Sequence, residues 1–102
     1  MITAIVTARL PEGTTREQWL ETAKRIAPRF RTIPGLIRKQ FLFGDGIGGG
    51  VYLWESREAA EACYRGPWRD NFRSLFGVEP DIRFFESPVV VDNAAREVTI
   101  AA

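Results

Sequence analysis

Met1–Leu10 alternates without a break: Ile2, Ala4, Val6, Ala8 and Leu10 share one side, Thr3, Ile5, Thr7 and Arg9 the other. A period of two is that of a half-buried strand. From Trp19 the period lengthens, and Trp19, Leu20, Ala23, Ile26, Ala27, Phe30 and Ile33 form one helical stripe. It returns to two in "LIRKQFLF" and "VYLWE", lengthens over Ala59–Tyr64 and Trp68–Phe76, and shortens again in "DIRFFES". The order β-α-β-β-α-β predicts an α+β, ferredoxin-like fold, a four-stranded antiparallel sheet with its helices on one face.

Breakers and caps set the expected boundaries. Thr14 with Glu17 reads as a capping box, and Ser56 as the cap of the second helix. Pro28 predicts a kink or a restarted last turn. "RGP" interrupts the second helical region: Gly66 weakens it, and Pro67 suits the first position of a new helix that Gly77 would close. "GDGIGG" reads as a flexible loop between the second and third strands. In the second strand Leu36, Arg38, Gln40 and Leu42 should face one way, and Ile37, Lys39, Phe41 and Phe43 the other. The core is expected over residues 1–87, with a C-terminal extension over 88–102, all in one domain.

Helices on one face leave the other uncovered. Yet Val51 and Leu53 oppose Tyr52 and Trp54, and Ile37 and Phe41 oppose Leu36 and Leu42. A sheet with one wet face alternates more cleanly than this. The second face is therefore expected to meet the sheet of an identical subunit, a homodimer, with "SPVVVDN" reaching across.

Composition narrows the chemistry. The chain has no histidine, which removes the commonest general base and the commonest transition-metal ligand. Histidine-dependent hydrolysis, imidazole-held zinc and histidine-ligated haem are thereby excluded within it. With 14 basic and 13 acidic residues and no basic block, nucleic acid is not an expected partner. No apolar run reaches the roughly 20 residues of a membrane span and no signal pattern opens the sequence, so no membrane partner and a cytoplasmic location are expected. The single cysteine, Cys63, suits a reducing compartment and reads as a small buried hydrophobe in an alanine-rich helix. Gly44, Gly46 and Gly49 match G-x-G-x-x-G by spacing. The dinucleotide fingerprint needs that loop to open a helix, and here it joins two strands, so a nucleotide cofactor is not expected.

The stretches "IPGLIRKQFLF", "GGGVYLWESREAAEACY" and "FESPVVVDN" resemble the small mono-oxygenases of the YdhR type, within the dimeric α+β barrel (antibiotic biosynthesis mono-oxygenase-like) superfamily. The resemblance runs from Met1 to about Asn93. It implies a homodimer whose sheets pack into a barrel, a cavity in each subunit between helices and sheet, and no tightly bound cofactor. It also places an aromatic, here Trp54, at the cavity end of the third strand. Haem-degrading members of the superfamily rely on a histidine that this chain lacks.

Candidate cavity residues follow. Tyr52 shares the face of Trp54 by the two-residue period. Trp68 and Phe72 are one helical turn apart, and Tyr64 precedes the break at Gly66. Aromatics at such spacings are core residues more often than ligand contacts. Against that, tyrosine and tryptophan each need a polar partner when buried, which a pocket supplies. Trp54→Ala is accordingly expected to cost less than the roughly 3–5 kcal/mol of a sealed core aromatic. Arg38 and Lys39 point to opposite faces, and whichever lies under the helices could neutralise a phenolate or carboxylate. Arg38, Tyr52 and Trp54 are the candidate catalytic residues; Asn71, Glu55 and Glu86 are weaker. The function expected is cofactor-independent mono-oxygenation of a small aromatic or phenolic substrate, in which an ionised phenol passes an electron to O₂. A non-catalytic small-ligand-binding dimer, or an isomerase or cyclase on the same fold, are the alternatives.

Overall fold

The computed structural model describes residues 1–100. Strand β1 (Ile2–Arg9) leads to helix α1 (Arg16–Ile26) and a 3-10 turn (Ala27–Phe30), then to strands β2 (Leu36–Gly44) and β3 (Ile47–Trp54). Helices α2 (Arg57–Tyr64) and α3 (Pro67–Phe76) follow, then β4 (Asp81–Glu86), β5 (Val89–Asp92) and β6 (Glu97–Ile100). The four long strands form an antiparallel sheet in the order β2-β3-β1-β4, the expected ferredoxin-like arrangement. Ala4, Val6 and Ala8 of β1 are buried against Trp19, Tyr64 and Phe76 from the helices. Small residues on the central strand let the aromatics of the other layer approach closely.

Several local features follow or depart from these expectations. The capping box is one residue later: Thr15 Oγ1 accepts from the Gln18 amide at 3.2 Å, and Gln18 Oε1 accepts from the Thr15 amide at 2.9 Å. The Thr14 hydroxyl instead donates to the Pro11 carbonyl at 2.6 Å, closing the preceding turn. The stripe after Trp19 restarts at Pro28, as the proline predicts. Proline restricts the residue before it and lacks an amide proton, so α1 ends at Ile26 and Pro28 sits in the 3-10 turn. Leu20 of that stripe lies at the surface.

The "GDGIGG" stretch is mostly strand. Only Asp45 and Gly46 turn, with φ of 52° and 73°, the two positive values of a type I′ hairpin turn. Gly48, Gly49 and Gly50 lie within β3. On β2 a bulge shifts the register between Leu36 and Arg38. Leu36 pairs with Trp54, Lys39 with Tyr52 and Phe41 with Gly50, which puts Leu36, Lys39 and Phe41 together under the helices. Arg38, Gln40 and Leu42 face away, and Ile37 at the bulge is 47% exposed.

Beyond β4, β5 and β6 pair as a two-stranded hairpin. Asp92 Oδ1 caps its turn by accepting the amides of Ala94 and Ala95, both at 3.1 Å. The segment carries the chain from the β4 edge to the β2 edge, where Asp92 Oδ2 lies 3.9 Å from Arg38 Nη1. Val89 pairs with Ile100 and Val91 with Val98, and all four are exposed. Ala101 and Ala102, the end of the expected extension, lie outside the described residues.

Candidate functional site: a lysine in an aromatic cavity

Between the β2–β3 half of the sheet and the helices is a cavity of about 580 Å³. Its floor includes Gly49 and Gly50, which carry no side chain to fill it. A Cβ at Gly50 would come within 2.8 Å of Lys39 Cε and 3.3 Å of Tyr52 Cε1. Two breaks overhead keep the space open. At one side α1 stops short of Pro28, and at the other Gly66, at φ 60°, separates α2 from α3.

Tyr52, Trp68 and Phe72 line the cavity. They belong to a continuous aromatic path: the Trp68 ring lies 4.7 Å from Tyr64 and 5.2 Å from Phe72, and Phe72 stacks on Phe76 at 4.1 Å. Trp54 and Tyr64 stand outside the lining. The Trp54 ring is parallel to Tyr52 within 5° at 6.0 Å, is 0% exposed, and donates from Nε1 to the Tyr64 hydroxyl at 3.0 Å. The expected cavity wall at Trp54 is therefore Tyr52; Trp54 is core, because its indole proton is satisfied by tyrosine rather than by a pocket. Burial pushes the hydroxyls of both Tyr52 and Tyr64 up from the ordinary tyrosine range, so both stay protonated; Trp68 partly offsets this at Tyr52, and Trp54 at Tyr64.

The bulge decides between the two strand cations. Arg38 lies on the outer face beside Gln40 and Asp92, away from the cavity. Lys39 enters it. Its Nζ sits 3.3 Å from the Phe30 ring centre, 4.0 Å from that of Phe41 and 4.5 Å from that of Tyr52. No ion pair or hydrogen bond engages it among the described residues, and no carboxylate lines the cavity. The ring faces attract an ammonium by about 0.5–2 kcal/mol each. Loss of water outweighs that attraction, and burial lowers the lysine from 10.5 to about 7, with Cys63 nearby opposing the shift. Near neutral pH this amine gives up its proton far more readily than an ordinary lysine.

Cys63 also lines the cavity. Burial raises its thiol to about 11, against the pull of Lys39, so it stays a neutral thiol. Arg25, Arg29 and Arg65 stand at the exposed mouth. Asn71 lines the cavity as well, whereas Glu55 and Glu86 do not. Phe30 and Phe41 were not singled out by sequence reasoning. The helical stripe includes Phe30 and the strand period puts Phe41 on the face of Lys39, but only the position of Lys39 gives them a role in the site. Among the described residues no cluster of cysteine, aspartate and glutamate could hold a metal ion, and no helix is long and apolar enough to cross a membrane.

This architecture is shared with solved structures. A monooxygenase from the gene ActVA-Orf6 of Streptomyces coelicolor, in complex with nanaomycin D, superposes with a TM-score of 0.65 at 19% identity, over 84% of this chain and 86% of that one. A crystal structure of an antibiotic biosynthesis monooxygenase shares the fold, with a TM-score of 0.63 at 11% identity over 85% of this chain and 98% of that one. A mutant of MhuD with two manganese protoporphyrin IX molecules bound per active site also shares the fold, with a TM-score of 0.67 at 20% identity over 90% of this chain and 99% of that one. So does NE2512 of Nitrosomonas europaea, of unknown function, with a TM-score of 0.66 at 16% identity over 84% and 87%. No protein-family model and no curated protein matches the sequence.

Proposed function

We propose that the chain is a mono-oxygenase that oxidises a small phenolic aromatic in this cavity, with no cofactor of its own. The observation carrying this reading is the largely unpaired Lys39 amine on an aromatic-walled floor. The monooxygenase fold of its structural neighbours supports it. Phenols have a pKa near 10, like tyrosine, and an amine poised near neutrality is a suitable base. The phenol proton passes to Lys39 Nζ, and the resulting ammonium faces the phenolate it has created. An electron then moves from phenolate to O₂, a carbon–oxygen bond forms, and loss of water leaves a quinone. Phenol plus O₂ thus gives quinone plus water, with all electrons supplied by the substrate. Tyr52, Trp68 and Phe72 would hold the ring plane, and the sealed floor would limit water.

Oxygen uptake tests it. With a panel of polycyclic phenols, uptake above the uncatalysed rate is expected without added flavin, metal or nicotinamide, and Lys39→Met should lower kcat by about 10²-fold or more. The rate should rise with pH through about 7 as Lys39 loses its proton. Phenols that bind without oxygen uptake would leave a ligand-binding module instead.

A further inference from the structure

We propose that the same cavity captures aromatic aldehydes covalently, Lys39 Nζ forming an imine with the carbonyl carbon. This does not rest on the oxidation reading, since it needs neither phenol nor O₂. Three placements carry it. Lys39 Nζ is on the cavity floor with no carboxylate or hydrogen-bond partner among the described residues, so its lone pair is free to attack. The ring centres of Phe30, Phe41 and Tyr52 lie 3.3, 4.0 and 4.5 Å from that nitrogen. A protonated imine keeps its positive charge on this atom and would be held by those faces. The cavity, at about 580 Å³, has room for an aromatic ring, and Trp68 and Phe72 offer it stacking surfaces. The lowered proton affinity of the lysine adds the free amine that imine formation requires.

The atoms balance without any oxidant. The amine lone pair attacks the carbonyl carbon, the N–C bond forms, and the carbonyl oxygen becomes a hydroxyl as nitrogen sheds a proton. That hydroxyl leaves as water with a solvent proton, and the nitrogen lone pair closes the C=N bond. The charged and titratable groups that line the cavity with Lys39 are Cys63, Tyr52 and, at its mouth, Arg25, Arg29 and Arg65; none is a carboxylate that would hold the ammonium.

The chain supplies its own control, since Lys24 is the only other lysine and lies exposed on α1 beside Glu21. Intact protein is incubated with benzaldehyde and sodium cyanoborohydride at pH 7 under argon, then digested and mapped by mass spectrometry. The hydride fixes imines as secondary amines and leaves any hemithioacetal at Cys63 unfixed, so the retained mass reports on amines. The adduct is expected on Lys39 at least about tenfold faster than on Lys24, because burial lowers the Lys39 amine from 10.5 to about 7 and so enlarges its share of free base. Lys39→Arg, which keeps a cation in the cage, should abolish that adduct, and Lys24→Arg should leave it unchanged. Equal labelling of Lys24 and Lys39, or labelling of the amino terminus and Lys24 alone, would overturn the proposal. Oxygen uptake is measured separately, so a failure here and a failure of the oxidation reading remain distinct.

Discussion

Lys39 is the residue on which most of the site chemistry turns, and its proton equilibrium has a stability consequence. Its folded-state value, about 7, lies below the unfolded value of 10.5, so the folded protein holds fewer protons between those limits. Stability from this group therefore rises with pH across that window; the cost is fully present below about 7 and absent above about 10.5. Lys39→Met should stabilise the protein at pH 7 by about 1–3 kcal/mol, the full shift being discounted for the ring contacts that the methionine forgoes. The gain should fade toward pH 10. Cys63 acts in the opposite sense, its thiol being raised from 9.0 to about 11, but it is present in both proteins. Thermal melts of the two across pH 6–10 check the difference, and a constant offset would refute it. Trp54 belongs to the core: Trp54→Ala should cost about 3–5 kcal/mol in chemical denaturation. Tyr64→Phe, which orphans the buried Trp54 indole proton, should cost about 1–3 kcal/mol.

Strand β3 shows how neighbouring glycines serve different ends. A Cβ at Gly49, where φ is 150°, would lie 1.9 Å from the Val6 carbonyl oxygen, so the β1–β3 ladder itself would have to move. Gly49→Ala is expected to destabilise by about 2–4 kcal/mol. At Gly50 the added carbon meets the flexible Lys39 stem at 2.8 Å, the Gln40 carbonyl oxygen at 3.2 Å and the Tyr52 ring at 3.3 Å, all milder than the clash at Gly49. Gly50→Ala should fold, losing about 1 kcal/mol, yet weaken ligand binding by displacing Lys39. Fluorescence titration with a phenol, beside a denaturation curve for each variant, separates the two effects. The β2 bulge belongs to the same pattern: one inserted residue turns Lys39 under the helices and Arg38 outward.

We propose that two copies of the chain pair through the outer sheet face and the β5–β6 hairpin. The outer face presents Ile5, Val51 and Leu53, and Phe85 is 44% exposed beside them. The hairpin adds Val91 and Ile100 at 63% and 75% exposure, apolar side chains that a partner would cover. An interface of more than roughly 1,200 Å² is expected. Light scattering should give a dimer mass at micromolar concentration, and Val91→Lys with Val98→Lys should shift it toward monomer. A monomer mass for the unaltered chain would refute the pairing.

The order of apolar periods carried the sheet topology, because a strand that slips by one residue moves its whole apolar set to the wrong face. The caps at Ser56 and Gly77, and the break at Gly66-Pro67, were equally legible, since each acts through its own backbone conformation. What a linear reading could not supply were the features set by the partner across a gap. The bulge after Leu36 depends on how β2 registers against β3, and the uniform alternation of "LIRKQFLF" gives no sign of it. Whether Tyr52 or Trp54 meets open space depends on where Tyr64 puts its hydroxyl, ten residues further on. The low proton affinity of Lys39 arises from burial between the 3-10 turn, β2 and β3, a loss of water that their ring faces only partly offset. Local propensity is written in adjacent residues. Desolvation is a property of a volume, and here that volume exists only once helices and sheet have closed around it.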